Sequence, residues 1–204
     1  MKSLVFILLL LNTSVYSCSS NDNVPQEQTS ELSDTEKQDL LFLREEEKLA
    51  RDVYLYAYEK YEQQIFYNIS QSEQTHMDRV KYLLDTYGLE DPATEEQGIF
   101  SNQALQQLYN ELTSQVDISL VEALKVGATI EDLDINDIDT FIANTQRSDI
   151  LLVYNNLTCG SRNHIRSFTM QLERNGEDYT PQYLSQDDYN AIIESSKERC
   201  GRNQ

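Results

Sequence analysis

Apolar residues recur at alternating steps of three and four along four long stretches of the chain, which is the spacing of one helix face. Ser33 and Glu36 have the spacing of a capping box at the start of the first stretch, and Gly88 follows the last periodic residue of the second. Two shorter stretches carry the same period. The predicted helices cover about 35–62, 65–87, 102–115, from Ser119 onward, 147–174 and 186–198.

The four long helices predict an all-α fold. Their narrow inner stripes are typical of helices that cross at a small angle, so we expect an antiparallel four-helix bundle. A short extra helix lies in the long connection between the second and third helices, and the last helix is a C-terminal addition. The chain has only six Gly and three Pro, which agrees with a helical protein.

Ionisable residues interrupt each apolar stripe near the middle of its helix. Glu73 and His76 stand three apart on one helix face, where Cβ atoms lie about 5–6 Å apart. Antiparallel packing would bring the interruptions of all four helices into one layer, which holds both histidines of the chain. The layer consists of Glu47, Glu73, His76, Glu131, Asp134 and His164, with Ser161 one turn before the last histidine.

The layer has two interpretations. A lone ionisable residue on an inner stripe, such as Glu47, is more often a satisfied polar group of the core. Four carboxylates buried together would repel one another unless positive charge neutralised them, and two histidines are too few to do so. The layer therefore predicts a metal site. Carboxylate and imidazole ligands suit iron or manganese best, with zinc as a further candidate.

The formal net charge of −19 argues against nucleic acid as a partner. An anionic membrane surface is disfavoured for the same reason. Cations would be attracted, although strong negative charge more often serves solubility alone.

The N-terminus has the features of an export signal. An apolar run from Leu4 to Leu11 follows one lysine and is too short to span a bilayer, which takes about 20 residues. The segment Val15-Tyr16-Ser17-Cys18 resembles the lipobox of bacterial lipoproteins. Cys18 is thus the predicted lipidation site, and the protein would be a membrane-anchored lipoprotein of the cell envelope. Cleavage at an ordinary site, which gives a secreted or periplasmic soluble protein, is the alternative.

These features divide the chain into four parts. A polar, aperiodic segment after the signal peptide is typical of a flexible tether, and the bundle and a C-terminal extension follow it. The predicted parts are the signal peptide at 1–17, the tether at 18–34, the bundle at 35–178, and the C-terminal helix and tail at 179–204.

Lipidation of Cys18 would leave Cys159 and Cys200 as a pair outside the cytoplasm, where disulfides form. A bond between them would close a long loop and contribute about 4 kcal/mol of stability in the chain-entropy model.

Two motifs in the layer resemble the first half-site of the ferritin-like superfamily, especially its rubrerythrin-type members. They are Glu47-x-x-Ala50-Arg51-x-x-Tyr54 and Ser72-Glu73-Gln74-Thr75-His76. The wider run, from REEEKLARDVY through SEQTHMDRVKYLLDTYGLEDP to GSRNHIRSF, resembles a bacterial family with that fold, the DUF2202 proteins. The resemblance covers most of residues 38–195 and implies a ferritin-like four-helix bundle.

The resemblance also implies a role for each ligand. Glu47 would be a terminal ligand from the first helix. Glu73 would bridge two metal ions, and His76 would complete one side of the centre. Glu131 would supply the carboxylate of the third long helix and His164 the imidazole of the fourth.

This chain departs from the family pattern at Ser161, where a second bridging glutamate is expected. A serine hydroxyl is a poor replacement for a carboxylate. Either Asp134, one turn after Glu131, fills the gap, or the second ion binds weakly or not at all.

Three further residues, Tyr54, Tyr154 and Arg51, are expected near the layer. Tyr54 and Tyr154 are on inner faces and could hydrogen-bond to ligands or act in redox chemistry, although such tyrosines are more often core residues. Arg51 either pairs with a ligand carboxylate or forms a surface ion pair. Cys159 lies about 140° round the helix from His164 and should not face the site.

The leading functional hypothesis is a ferritin-like redox protein with one or two iron ions and oxidase or peroxidase chemistry. The chain has no rubredoxin-like pairs of cysteines, so electrons would come from elsewhere. The alternatives are an iron-binding protein without turnover and a helical interaction lipoprotein with a degraded metal site. The expected partners are metal ions, the membrane through the lipid anchor, and a second copy of the chain through helix faces.

Overall fold

The computed structural model describes residues 31–201, so the predicted signal peptide, Cys18 and nearly all of the predicted tether lie outside the described residues. Within the described part the chain forms six helices and no strand, which confirms the predicted all-α class. The helices are α1 (Asp34–Tyr61), α2 (Gln64–Tyr87), α3 (Gln103–Val116), α4 (Leu120–Asn144), α5 (Ser148–Arg174) and α6 (Gln186–Glu194).

The helix ends follow local sequence signals. The Ser33 hydroxyl accepts from the amide of Glu36 at 3.1 Å, and the Glu36 carboxylate accepts from the amide of Ser33 at 2.8 Å, which forms the capping box of α1. Gly88 ends α2 with a left-handed φ of 67°. Ser119 caps α4 by accepting from the amide of Glu122 at 3.1 Å.

Four long helices pack side by side. α1 lies along α2 and α4 lies along α5, and the two pairs meet through α1–α4 and α2–α5 contacts. Neighbours are antiparallel, because Tyr58 packs on Tyr67 beside the α1–α2 turn whereas Glu47 meets His76 farther from it. α3 packs against α1 and α4, and α6 against α5. Nowhere in residues 31–201 is a helix long and apolar enough to cross a membrane.

A layer of ionisable side chains separates two apolar clusters. The larger cluster includes Val53 and Phe168, and the smaller includes Leu43 and Ile138. Five buried side chains of the four long helices lie between these clusters, namely Glu47, Glu73, His76, Glu131 and His164. The two clusters therefore exclude water from the layer along the direction of the helix axes.

The loop after α2 is fastened to α1 by buried charges. The Arg44 guanidinium pairs with Asp91 at 2.9 Å. The Glu45 carboxylate accepts from the backbone amides of Ser101 at 2.6 Å and Asn102 at 2.9 Å, at the start of α3. These contacts fix the long α2–α4 connection against the helix that carries Glu47.

Lys48 and Asp52 form an ion pair that is fully buried. Their N–O distance is 2.5 Å, and neither side chain is exposed to solvent. The Lys48 ammonium also donates to the carbonyl of Glu96 and lies 4.4 Å from the Phe100 ring centroid, while Asp52 accepts from the amide of Gly98. Each charge is thus satisfied by its partner and by the loop.

Asp132 on α4 organises the segment before α6. Its carboxylate accepts from the hydroxyl of Tyr179 at 2.8 Å and from the backbone amide of Leu184 at 2.8 Å. The amides of Gln182 and Tyr183 donate to the same carboxylate. The Asp132 carboxylate therefore accepts the hydrogen bonds that these backbone amides would otherwise donate to water.

The last helix ends at Glu194, so the prediction that it continues to about residue 198 was wrong. Glu198 is held on α5 instead, where it pairs with Arg162 at 2.5 Å and with Arg166 at 2.9 Å. Its amide also donates to the side chain of Asn163 at 2.9 Å. The chain after α6 therefore runs along α5 and cannot continue the helix.

We expect Lys48→Met to lower the free energy of unfolding by about 3 kcal/mol, because it leaves the Asp52 carboxylate buried without its main counter-charge. Urea unfolding of the metal-free protein measures this change. Lys37→Met, which removes an exposed pair with Glu31, is the matched control and should cost less than about 1 kcal/mol. Equal effects of the two substitutions would contradict the expectation.

Candidate metal centre

Each of the four long helices contributes to the central layer. Glu47 comes from α1, Glu73 and His76 from α2, Glu131 from α4 and His164 from α5. All five side chains are buried. The spacing of three between Glu73 and His76 places both on one helix face, as the sequence predicted.

One triad is formed by Glu47, Glu73 and His76. The Nδ1 atom of His76 lies 3.1 Å from Oε2 of Glu47 and 2.8 Å from Oε2 of Glu73. One ligand atom from each of the three residues lies within 4.8 Å of the others, which is a spacing that a single metal ion can occupy.

A second triad is formed by Glu73, Glu131 and His164. The Nδ1 atom of His164 lies 2.9 Å from Oε1 of Glu73 and 3.4 Å from Oε2 of Glu131. The two imidazole rings are stacked with their centroids 5.7 Å apart. Glu73 therefore belongs to both triads and directs one oxygen to each imidazole.

Several polar atoms of the layer lack hydrogen-bond partners in the described part of the chain, and a bound cation would coordinate them. Oε1 of Glu47, Oε1 of Glu73 and Nδ1 of His164 are buried and have no hydrogen-bond partner within the described residues. The last two lie 2.9 Å apart without the alignment of a hydrogen bond. Buried polar atoms without partners are costly, so metal ligation would satisfy these atoms.

Burial and the neighbouring charges shift the pKa values of these groups in opposite directions. Burial raises the pKa of Glu47 to about 7, although the nearby His76 opposes the shift. Burial would also raise the pKa of Glu73, but His76 and His164 outweigh it and hold that pKa below its usual range. Burial lowers the pKa of His164, but Glu73 and Glu131 outweigh it and raise that pKa to about 10. Glu47 and Glu73 likewise hold the pKa of His76 well above its ordinary value against the effect of burial.

Asp134, a predicted ligand, lies beside the two triads but belongs to neither. Its Oδ2 accepts a short hydrogen bond from the hydroxyl of Ser161, whose oxygen also lies 3.2 Å from the carbonyl oxygen of Leu157. Burial, followed by the charges of Glu47 and Glu131, raises the pKa of Asp134 well above its usual range. Ser161 thus orients the Asp134 carboxyl group beside the two triads.

Tyr54 contacts a predicted ligand directly. Its hydroxyl donates to Oε1 of Glu131 at 2.6 Å and lies 3.3 Å from the carbonyl of Gly127. The ring packs against Phe168 in the larger apolar cluster. Because Tyr54 holds Oε1 of Glu131, the other oxygen of that carboxylate is left for His164 or a metal ion.

Two residues that the sequence placed around the site do not reach it. Arg51 pairs with Asp52 at 2.8 Å and donates to Gln74 at 2.5 Å, so it binds no ligand carboxylate. Tyr154 packs on Phe141 in the smaller apolar cluster and makes no hydrogen bond to a predicted ligand within the described residues. Its spacing of seven residues from Ser161 places it two turns from the layer.

Sequence analysis missed Glu46. This side chain is only 3% exposed, and neither carboxylate oxygen has a hydrogen-bond partner within the described residues. Burial, followed by the charges of Asp134 and Asp137, raises its pKa well above the usual range. The spacing of three between those two aspartates on α4 was the available signal. It indicates a second acidic face next to the one that carries Glu131.

A groove of about 740 Å³ opens onto the two imidazoles, with walls formed mainly by α2, α5 and the chain after α6. Gly160 on α5 forms part of this wall. A Cβ atom at Gly160 would lie 2.6 Å from both Cε1 and Nε2 of His76. The absence of a side chain at residue 160 therefore leaves room for the His76 ring beside α5.

The structure joins Cys159 and Cys200 by a disulfide, with their Cα atoms 5.7 Å apart. The bond connects α5 to the chain after α6 at the edge of the groove. Cys159 itself does not line the groove, whereas Cys200 does.

Comparison with known proteins identifies the family of this chain. The family model described as uncharacterized protein domain DUF2202 matches residues 36–196. The chain belongs to the DUF2202 family. It is similar to the uncharacterized protein MJ0754 of Methanocaldococcus jannaschii, with 54% identity over 169 residues that cover 82% of this chain and 91% of the relative.

A solved structure of that relative is also similar to this DUF2202 chain. It is the crystal structure of hypothetical protein MJ0754 from Methanococcus jannaschii, which aligns with a TM-score of 0.81 at 54% identity. The alignment covers 82% of this chain and 96% of that chain. Neither description states an activity.

We expect the metal-free DUF2202 protein to lose stability as the pH rises from 7 to 9. Both histidines have folded-state pKa values above the unfolded value of about 6.5, so the folded protein binds more protons in this range. Their stabilising contribution is complete below pH 6.5 and is lost as the pH approaches about 10. Each histidine contributes about 1.4 kcal/mol per pH unit, so the free energy of unfolding in urea should fall by about 2–3 kcal/mol per pH unit. A smaller slope is expected for His164→Gln, and a flat profile of the native protein would contradict this explanation.

We expect Gly160→Ala to move the His76 imidazole away from Glu47 and Glu73, because the added Cβ would overlap the ring. NMR titration of the two histidines in the metal-free protein measures this as a fall in the pKa of His76 toward its ordinary value. His164 should change less, since its Cε1 lies 3.8 Å from the added atom.

Gly88→Ala is the matched control for Gly160→Ala. It is strained at a φ of +67°, but no atom lies within 4 Å of the added Cβ. It should lower stability and leave both histidine titrations unchanged. If Gly160→Ala behaves in the same way, Gly160 does not position His76.

Proposed function

We propose that this chain binds iron at a two-ion centre bridged by Glu73, inside a four-helix bundle of the ferritin-like kind. The observation that carries the proposal is the shared position of Glu73, whose two oxygens are directed to the Nδ1 atoms of two different imidazoles. Glu47 completes one triad and Glu131 the other. A carboxylate between two three-residue sites is the arrangement that bridges a pair of ions.

The number and type of ligands support iron. Carboxylate oxygens and imidazole nitrogens suit iron and manganese, and zinc is a weaker candidate because structural zinc sites usually contain cysteine. Ferritin-like di-metal sites combine one Glu from each of two helices with a Glu-x-x-His motif from each of the other two. Glu47, Glu131 and the Glu73–His76 motif match this pattern, and Ser161 with His164 occupies the remaining position.

The fold supports the same proposal. Four long antiparallel helices surround a buried polar layer, and apolar clusters close it on both sides. The short helix α3 and the C-terminal helix α6 pack outside these four. This is the arrangement expected of a ferritin-like bundle with two additional helices.

Redox chemistry with dioxygen or peroxide is the activity we infer for the loaded centre. Bound iron would supply one-electron transfer and open coordination positions for a small oxygen compound. The protein residues would bind and orient it, with Tyr54 holding Oε1 of Glu131 and Gly160 allowing the position of the His76 ring. The groove provides a route from solvent to the imidazoles.

Iron binding without turnover is the second candidate. Ser161 favours it, because this residue replaces a second bridging carboxylate and binds Asp134 instead. If Asp134 remains bonded to Ser161 in the loaded protein, Glu73 is the single carboxylate bridge. Such a centre would hold its second ion less tightly than a doubly bridged one.

We also propose that the centre functions outside the cytoplasm. The predicted signal peptide and lipidation of Cys18 remain sequence-based inferences. The disulfide between Cys159 and Cys200 supports them, because such bonds persist mainly in oxidising compartments.

We expect about two iron ions per chain after anaerobic loading of the purified protein with ferrous iron. Mass spectrometry of metal content, after removal of free iron, measures the ratio. His76→Ala and His164→Ala should each lose about one ion or more, because each imidazole serves a different triad. Glu131→Gln should also lose iron, while Glu111→Gln, at an exposed carboxylate of α3, is the matched control and should not. A folded native protein without iron would refute the proposal.

Ser161→Glu separates the two candidate functions. If the second ion binds weakly because a bridging carboxylate is lacking, this variant should raise iron content or affinity and increase any peroxide consumption. Circular dichroism checks that the larger side chain is accommodated at this fully buried position. A folded variant with unchanged iron content and activity would show that Ser161 does not limit the centre.

A further inference from the structure

The groove beside the imidazoles differs in charge from the rest of the molecule. The chain contains 35 acidic residues among 204. Glu198 is the one acidic residue that lines the groove, and both Arg162 and Arg166 neutralise it. The rest of the polar lining consists mainly of neutral amides and hydroxyls, such as those of Asn163 and Ser167.

Two cations in this groove are free of carboxylate partners. Arg79 and Lys197 both line it, and neither side chain forms an ion pair or hydrogen bond with any other residue of the described range 31–201. Most basic side chains of that range are engaged with carboxylates, as Lys48, Arg51 and Lys81 are. In so acidic a chain, two unpaired cations in one groove form a local site for negative charge.

The groove has the construction of a binding site. Arg79 stands three residues after His76, so it shares the face of α2 that carries the imidazole. The segment that carries Lys197 is held by the Cys159–Cys200 disulfide. It is held also by hydrogen bonds between Glu198 and Asn163. This wall of the groove is therefore ordered before any ligand binds, which lowers the entropic cost of binding.

The groove is larger than dioxygen or peroxide alone would need. Its volume of about 740 Å³ lies in the range of about 300–1,000 Å³ that is typical of pockets for small organic molecules. The polar lining offers amide and hydroxyl groups to the body of such a molecule. The two cations favour a molecule that carries an anionic group.

We propose that this groove binds a small organic anion whose carboxylate or phosphate groups pair with the cations Arg79 and Lys197, while its body lies against His76 and His164. This site goes beyond the metal centre and does not depend on it, because its cations are not among the proposed metal ligands. If the centre is catalytic, the bound anion would be its substrate or would control access to it.

NMR titration of the metal-free full chain tests the proposal, with succinate and inorganic phosphate as separate probes at constant ionic strength. We expect saturable chemical-shift changes confined to groove amides, including those of Asn163 and Ser167. Saturation by succinate identifies a carboxylate site, and saturation by phosphate identifies a phosphate site. The absence of saturable shifts with both probes would overturn the proposal.

The double variant Arg79→Gln/Lys197→Gln should weaken binding by about tenfold or more, because it removes both charged donors. Lys81→Gln/Lys125→Gln removes the same charge from exposed pairs elsewhere and should leave binding within about twofold. Lys197→Gln alone, at an exposed position, provides the same test if the double variant is unstable.

Iron content separates this proposal from that of the metal centre. The groove variants should load the same amount of iron as the native chain, because neither cation contacts a ligand carboxylate. Equal binding of the probe by native protein and groove variant would overturn the anion site. Absence of iron from the native protein, with anion binding intact, would refute the metal centre alone.

Discussion

The structure depends on the burial of more carboxyl groups than its imidazoles can balance. Glu46, Glu47, Glu73, Glu131 and Asp134 lie in one layer with His76 and His164, and all seven are buried. Without a cation, some of these carboxyl groups must be protonated, and the raised pKa values of Glu46, Glu47 and Asp134 express that requirement. The two apolar clusters on either side keep water from relieving the charge. The layer is thus poised to take up positive ions.

Most of the fold and the centre of the site were predictable because they follow helical periodicity. The stripes of the long helices place Glu47, Glu73 and His164 on inner faces, and antiparallel packing brings them to the same level. The three-residue spacing of Glu73 and His76 survives unchanged in the structure. These predictions needed no knowledge of loops, since every residue in them is positioned by its own helix and by the registry between neighbours.

The features that the sequence did not predict depend on contacts between segments that are far apart in the chain. Helical periodicity does not specify such contacts. Glu46 lies about 100° round α1 from Glu47, so its burial depends on how α4 covers that side. Asp132 is buried because the chain before α6 folds over it and donates four hydrogen bonds to it. Arg51 was predicted near the layer, but its guanidinium pairs with Asp52 and Gln74 and not with a ligand carboxylate. In each case the partner belongs to a loop or a neighbouring helix face, and no local pattern specifies it.

The two sides of each imidazole ring differ in charge, because helix registry forms one side and contacts between distant segments form the other. Helix registry places the carboxylates on the Nδ1 side, where negative charge is concentrated and water is excluded. The groove side is built by Gly160, the disulfide and the chain after α6, and its free charges are positive. An anion that approached through the carboxylate side would meet strong repulsion, whereas the groove offers a route past cations to the same rings. In the proposed anion site the chain after α6 contributes Lys197 and α2 contributes Arg79, although the chain after α6 contributes no ligand to the proposed metal site.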